Sequence, residues 1–346
     1  MQDCSHWSLG EDGLKSVSDV GERRLIDLMM RNLTPMPDMP VSFWDDVSAV
    51  SLGEGRAAVL KTDMLVWHTD VPEGMTPFQA ARKAVIMNFS DLGSKGVRPL
   101  AFLVSLGLPK TYSVDAVEDM AKGFNAGARE YGAYVIGGDT NEAGDVIISG
   151  MAYGVAEEDK LMRRDGASPG DILATTGGFG KTASAFKILL EGYKAPPRLI
   201  ASLLESVFMP KARVEEGVAL AEAGVVSASM DSSDGLAISL HDLSRSSGVG
   251  FRIDSFPASD DSAEFAEAHG LQISDLVLYG GEEYELVFTV KPDLIEIARE
   301  ALCSVGCSLI EFGEATSDRS IVYRVDGVEK PIRPKGWDHF SSASPE

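Results

Sequence analysis

Short apolar runs alternate along this chain with stretches of helical periodicity, the pattern of a protein that builds its core from both strands and helices. Ala57 to Leu60 is one such run, and it leads into Thr62-Asp63, which predicts an aspartate at or just past a strand end. Thr76-Pro77 reads as an N-cap followed by proline at the first helical position, opening a helix through Ala80, Ala84, Val85 and Met87 with Ser90-Asp91 near its end. Leu100 to Leu108 predicts a buried strand closed by Pro109, and an amphipathic helix from Ser113 to Tyr131 stops at Gly132. A short strand from Ala133 to Ile136 runs into Gly137-Gly138-Asp139-Thr140, and Val146 to Val155 predicts another.

The charged segment Glu157-Glu158-Asp159-Lys160 precedes a Gly/Pro-containing stretch, Gly166 to Gly170, which predicts a boundary between a domain of residues 1–158 and one of 159–346. Beyond it come a strand at Ile172 to Thr175, helices near Thr182 to Glu191 and Ala212 to Ala223, and then strand, acidic turn and helix. With 346 residues, two domains are the ordinary expectation, and the alternation of elements places both in the α/β (α+β) class.

Composition changes this picture in two ways. A net charge of -22 argues against nucleic acid and anionic membrane as partners, because those require clustered Lys and Arg. Three cysteines form neither an even disulfide set nor a zinc quartet, which points to a reducing, cytoplasmic setting. Of these, Cys303 and Cys307 are spaced to share a helix face in the core, while Cys4 stands alone. There is no apolar run of the ~20 residues that a membrane span needs.

The excess acid is not scattered. Asp45-Asp46, Thr62-Asp63, Ser90-Asp91, Gly137-Gly138-Asp139-Thr140 and Asp231-Ser232-Ser233-Asp234-Gly235 all set carboxylates beside small or hydroxylic residues. Carboxylates displayed at such positions hold hard divalent cations, and cations let an acidic protein hold phosphates. The five histidines show no zinc-hydrolase spacing, and there is neither a serine-hydrolase elbow nor a dinucleotide fingerprint. Thr175 to Thr182 ends like a phosphate-binding loop, but the Walker pattern requires glycine where Thr175 stands. Two readings of that glycine turn stay open: a plain β-to-α connection, or free N–H groups facing a phosphate.

These blocks, followed by Gly280-Gly281-Glu282-Glu283-Tyr284-Glu285-Leu286 and Lys335-Gly336-Trp337-Asp338-His339-Phe340, occur in an order that resembles the thiamine-monophosphate kinase family. The resemblance implies the two-domain aminoimidazole-ribonucleotide synthetase-like architecture, with an N-terminal domain that pairs in a homodimer and an ATP site in the cleft between the domains. It implies phosphorylation of thiamine monophosphate to thiamine diphosphate, with ATP as co-substrate and Mg²⁺ as cofactor. The implied metal ligands are Asp46, Thr62, Asp63, Asp91, Asp139, Asp231 and Asp234. Arg164 and Ser233 would touch ATP, while Asp70, Glu282 and Trp337 would face the acceptor, and Asp91, Asp139 and Arg164 would carry catalysis. The chain departs from the family pattern in Trp44 before Asp45, in Lys61 beside Thr62, and in Asp70 where many members carry histidine. The alternatives are another ATP-dependent synthetase or cyclo-ligase of the same superfamily, or a nucleotide-binding regulator without turnover.

Overall fold

The computed structural model describes residues 16–41, 43–325, 327–337 and 340. Cys4, His6, Asp338 and His339 lie outside the described residues. The chain divides into two compact units, a small one formed by Met1–Pro37 with Trp337–Glu346 and a large one spanning Asp38–Gly336. The small unit carries one described α-helix, α1 (Glu22–Met30).

Both sheets belong to the large unit. The first is built from β1 (Ser48–Gly53), β2 (Arg56–Val66), β3 (Pro99–Leu108), β4 (Tyr134–Glu142) and β5 (Ile147–Glu157), in the spatial order β1-β2-β5-β3-β4. The β3/β4 pair is parallel, and the other pairs of this sheet are antiparallel. Three helices belong to this half: the one-turn α2 (Trp67–Asp70), α3 (Pro77–Ser94) and α4 (Val114–Glu130).

The second sheet holds β6 (Ile172–Thr175), β7 (Val226–Asp231), β8 (Gly250–Ile253), β9 (Leu286–Val290), β10 (Ile310–Thr316), β11 (Ile321–Val325) and β12 (Val328–Pro331), in the order β12-β11-β8-β10-β6-β9-β7. With it run α5 (Lys181–Glu191), α6 (Pro197–Phe208), α7 (Val214–Ala223), α8 (Leu236–Ser247), α9 (Asp260–His269), α10 (Ile273–Tyr279) and α11 (Ile295–Ser304). The α/β expectation holds, with each sheet mixed.

Helix α3 is the pivot. Its N-terminus is a capping box: the Gln79 N–H donates to Thr76 Oγ1 at 3.3 Å, and the Gln79 side chain accepts from the Thr76 N–H at 2.9 Å, with Pro77 at the first helical position. It is buried on nearly every side, because it packs on β2 and β5 of the first sheet and also touches β7 and α7. The approach to α7 requires Gly217, where a Cβ would collide with the Gly93 carbonyl.

Several expected boundaries move. β2 continues to Val66, so Asp63 lies inside a strand and not at its end, and β4 continues through Gly137-Gly138-Asp139-Thr140, which is strand and not turn. The glycines of β4 serve close packing, since a Cβ on Gly138 would strike the Val104 backbone. β9 begins at Leu286, because Tyr284 just before it has a φ of 53°, which is incompatible with a strand. The shared-face expectation for Cys303 and Cys307 fails because α11 ends at Ser304 and Gly306 turns the chain at φ 76°; Cys303 is exposed and Cys307 half-buried. Among the described residues, no helix is long and apolar enough to cross a membrane.

Candidate active site

The C-terminal half of α3 carries Ser90, Asp91 and Ser94, with Lys95 directly after it, and all four are buried. Three of them reach distant parts of the large unit by hydrogen bonds or ion pairs. Ser90 donates to Asp231 Oδ2 at 2.7 Å, and Ser94 donates to Asp46 Oδ2 at 2.9 Å. The Lys95 ammonium contacts Asp45 Oδ1 at 2.6 Å and Asp46 Oδ2 at 2.5 Å, and donates to the Ser229 carbonyl at 2.6 Å. One helix thereby draws the segment before β1 and the end of β7 to the same point.

At that point Asp46, Asp91 and Asp231 each present a carboxylate oxygen within 4.8 Å of the others, all three buried. Their electrostatics differ. Burial would push the Asp46 carboxyl up, but the Arg164 guanidinium and Lys95 outweigh it and hold the group well below the carboxylate range. Arg164 donates from Nε to Asp46 Oδ1 at 3.0 Å and from Nη1 to the Trp44 carbonyl at 2.8 Å, and its Nη2 also meets Asp46.

For Asp231, burial and the Asp46 charge push the carboxyl up to about 7 against the Ser90 hydrogen bond. Asp91 is pushed well above its ordinary value by burial, with Asp231, Asp63 and Asp46 adding repulsion that Lys61 only partly offsets. Lys61 Nζ stands 3.1 Å from Asp63 Oδ1 and 3.2 Å from Asp91 Oδ2. A buried set of oxygen donors that repel one another suits a hard divalent cation such as Mg²⁺, which would relieve that repulsion.

Other expected residues lie elsewhere. Ladder pairing places Asp139 beside Ser105, Ser149 and Met64 on one face of the first sheet, while Asp63 shares the opposite face with Gly150 and Val104. Asp139 is therefore exposed and separate from the buried trio. Thr62 has the same parity as Met64, and its hydroxyl donates to the Gly150 carbonyl at 2.8 Å. Ser233 is exposed and Asp234 half-buried at the turn after β7. The Asp70 carboxylate is engaged locally, accepting from the Val66 N–H at 2.7 Å. Trp337 is 53% exposed and belongs to the small unit.

The segment from Gly280 to Glu285 has no regular structure, and Glu282 and Tyr284 both sit at positive φ, 65° and 53°. Two carboxylates beside them fasten it, Glu285 buried and Glu283 half-buried. Glu285 forms a two-pronged pair with Arg213 at 2.7 and 2.8 Å and accepts from the Thr176 hydroxyl at 2.7 Å. Glu283 Oε1 accepts from the Gly180 N–H at 2.6 Å, the Thr182 N–H at 3.2 Å and the Thr182 hydroxyl at 2.9 Å. The N-terminus of α5 is thus capped by an internal carboxylate, and the loop that ends like a phosphate-binding motif is a β-to-α connection closed from within.

Sequence reasoning did not single out Lys83, Ser94 or Lys95, and it named Ser90 and Glu283 only inside their blocks, without a role. A signal existed for the first: Arg82-Lys83 interrupts an apolar run, Ala80 to Ile86, whose neighbours are nearly all core. Each described histidine is engaged away from the acidic trio, His68 with Asp145, His241 with the Ile332 carbonyl and His269 with the Phe265 and Lys194 carbonyls.

Comparison with known proteins adds to this geometry. Residues 44–156 match the family model for AIR synthase related protein, N-terminal domain, and residues 168–326 match that for the C-terminal domain. The chain is 36% identical over 296 residues to the thiamine-monophosphate kinase of Nitrosopumilus maritimus, covering 86% of this chain and 93% of the relative. It is 37% identical over 300 residues to the protein of the same name from Pyrococcus horikoshii, covering 86% and 90%. A solved structure described as AaThiL complexed with AMPPCP and TMP superimposes with a TM-score of 0.82 at 27% identity, covering 94% of this chain and 99% of that one.

Proposed function

Since this chain belongs to the thiamine-monophosphate kinase family of AIR synthase related proteins, we propose that it transfers the γ-phosphoryl group of ATP to the phosphate of thiamine monophosphate, directly and in line, and that Mg²⁺ is required. The observation that carries this reading is the buried trio of Asp46, Asp91 and Asp231 gathered by α3, in a chain similar to proteins of that name and to a structure holding an ATP analogue and TMP.

The acceptor phosphate has a second pKa near ~6, so its oxygen is already an anionic nucleophile at neutral pH and needs no general base. That accords with described histidines that are all engaged elsewhere. The difficulty is repulsion between two anionic reactants, and the chain addresses it by positioning and charge. Bound Mg²⁺ would supply the charge neutralisation, held by Asp46, Asp91 and Asp231 with Asp63, Thr62 and Asp234 as further oxygen donors, and with Asp139 as the donor that one protomer lends to the other. Arg164 and Lys61 add fixed positive charge to the same cluster, and Lys95 and Ser94 keep Asp46 turned toward it. Arg164 and Ser233 serve ATP, while Glu282 and Asp70 serve the acceptor side.

We also propose a homodimer, and domains of residues 1–158 and 159–346. Strands β2 and β4 carry exposed Met64, Tyr134 and Ile136, more apolar surface than a lone sheet face ordinarily shows to water. Asp139 lies on the Met64 face, which α3 does not cover, so as a metal ligand it serves the partner's site and not its own.

The test is ADP release with thiamine monophosphate, run beside aminoimidazole ribonucleotide precursors and a no-acceptor control. Turnover with thiamine monophosphate alone supports the kinase. Turnover with another acceptor would make it a synthetase, and nucleotide binding without turnover a regulator.

A further inference from the structure

Lys83 is 1% exposed, on α3, in a stretch where every neighbouring side chain from Ala80 to Ile86 is buried. Lysine is almost never buried to this degree unless its charge is met, because the cost of stripping an ammonium of water is returned only by close partners. Its described partners are two. The ammonium donates to the Asp70 carbonyl at 3.0 Å and to Glu282 Oε1.

An apolar side chain of the same length would fill this position without that cost, so packing gives no reason for the charge. The reason lies at Glu282. Its backbone is held at φ 65°, with its N–H donating to the Ser233 carbonyl at 2.6 Å. Its other oxygen, Oε2, is buried with no hydrogen-bond partner among the described residues. One carboxylate oxygen is thus tied to α3 while the other stays uncommitted, the arrangement of an acceptor group aimed at something that donates to it.

We propose that Lys83 is a positioning residue that aims Glu282 into the acceptor subsite. Through the Asp70 carbonyl it also ties the turn after β2 to the segment carrying Glu282, so two residues of the acceptor side share one buried anchor. The ligand class that fits the free oxygen is a neutral or cationic N–H donor on a heterocycle, such as an exocyclic amine. This rests on the reading above that Glu282 faces the acceptor.

The experiment is a double-mutant cycle on the full-length protein with Lys83→Met, Glu282→Gln and both together, measuring KM separately for thiamine monophosphate and for ATP. Each single variant is expected to raise the acceptor KM about tenfold with the ATP KM changed less than about twofold, and the double variant to be no worse than Glu282→Gln alone. Multiplicative losses, an equal rise in both KM values, or an unchanged acceptor KM would overturn the proposal. Thermal unfolding of the same four proteins separates it from the functional reading. If the wild type turns over no thiamine monophosphate, that reading falls, and the Lys83–Glu282 pair is judged on melting temperatures alone: non-additive shifts uphold it and additive shifts reject it.

Discussion

Asp91 shows the conflict at this site between stability and chemistry. It is buried among Asp231, Asp63 and Asp46, and Lys61 opposes their charge at contact distance. Asp91→Asn removes one of the repelling carboxylates without changing shape, so the ligand-free variant should melt at the wild-type temperature or above it. Its turnover should fall by about a hundredfold or more, because an amide is a poorer Mg²⁺ ligand and the lost charge acts where phosphate charge gathers. Mg²⁺ should raise the melting temperature of the wild type, by an amount equivalent to about 2.7 kcal/mol at a hundred times Kd, and should raise that of Asp91→Asn much less. Near-normal turnover of the variant at saturating Mg²⁺ would remove Asp91 from the site.

Helix α5 and the segment from Gly280 to Glu285 depend on each other through Glu283. Burial pushes this carboxyl from its ordinary 4.5 up to about 7, with the Thr182 and Gly180 hydrogen bonds opposing and the Glu285 charge assisting. A folded-state value above the unfolded one means a contribution to stability that is complete below about pH 4.5 and lost as pH rises through about 7. Glu283→Gln does not titrate, so its stability relative to wild type should improve by up to about 1.4 kcal/mol per pH unit across that window. Chemical denaturation at pH 5 and pH 8 measures this, and a gap that does not move with pH would contradict it. The element itself was legible: Ile172 to Thr175 and the helix after it were readable as strand and helix from local pattern. That a glutamate about a hundred residues later caps the helix was not, because capping by a distant side chain leaves no local trace. The Gly137-Gly138 pair misled for a related reason, since glycine marks both turns and close strand packing, and only the position of Val104 distinguishes them.

Assembly is where the sheet faces matter. Ile136→Asp places a charge among the exposed apolar residues of the first sheet and should yield a monomer by light scattering at micromolar concentration, where the wild type should be a dimer. The monomer should keep its fold and lose turnover, because Asp139 would then have no partner site to enter. A monomeric wild type would reject the dimer, and a monomeric variant with full activity would reject the role given to Asp139.

The order and chemistry of the acidic blocks are written in the chain, since residue type and spacing alone mark them as oxygen donors for a hard cation. So are the elements with strong local signals, such as the helix announced by Thr76-Pro77 and the strand from Pro99 to Leu108. Which donors meet is another matter. Ser90 reaches Asp231 across 141 residues, while Asp139 is turned to the far face by strand parity. Convergence of that kind depends on how two sheets pack around α3 and on which side of a strand each side chain emerges. Such non-local geometry carries no signature in spacing along the chain.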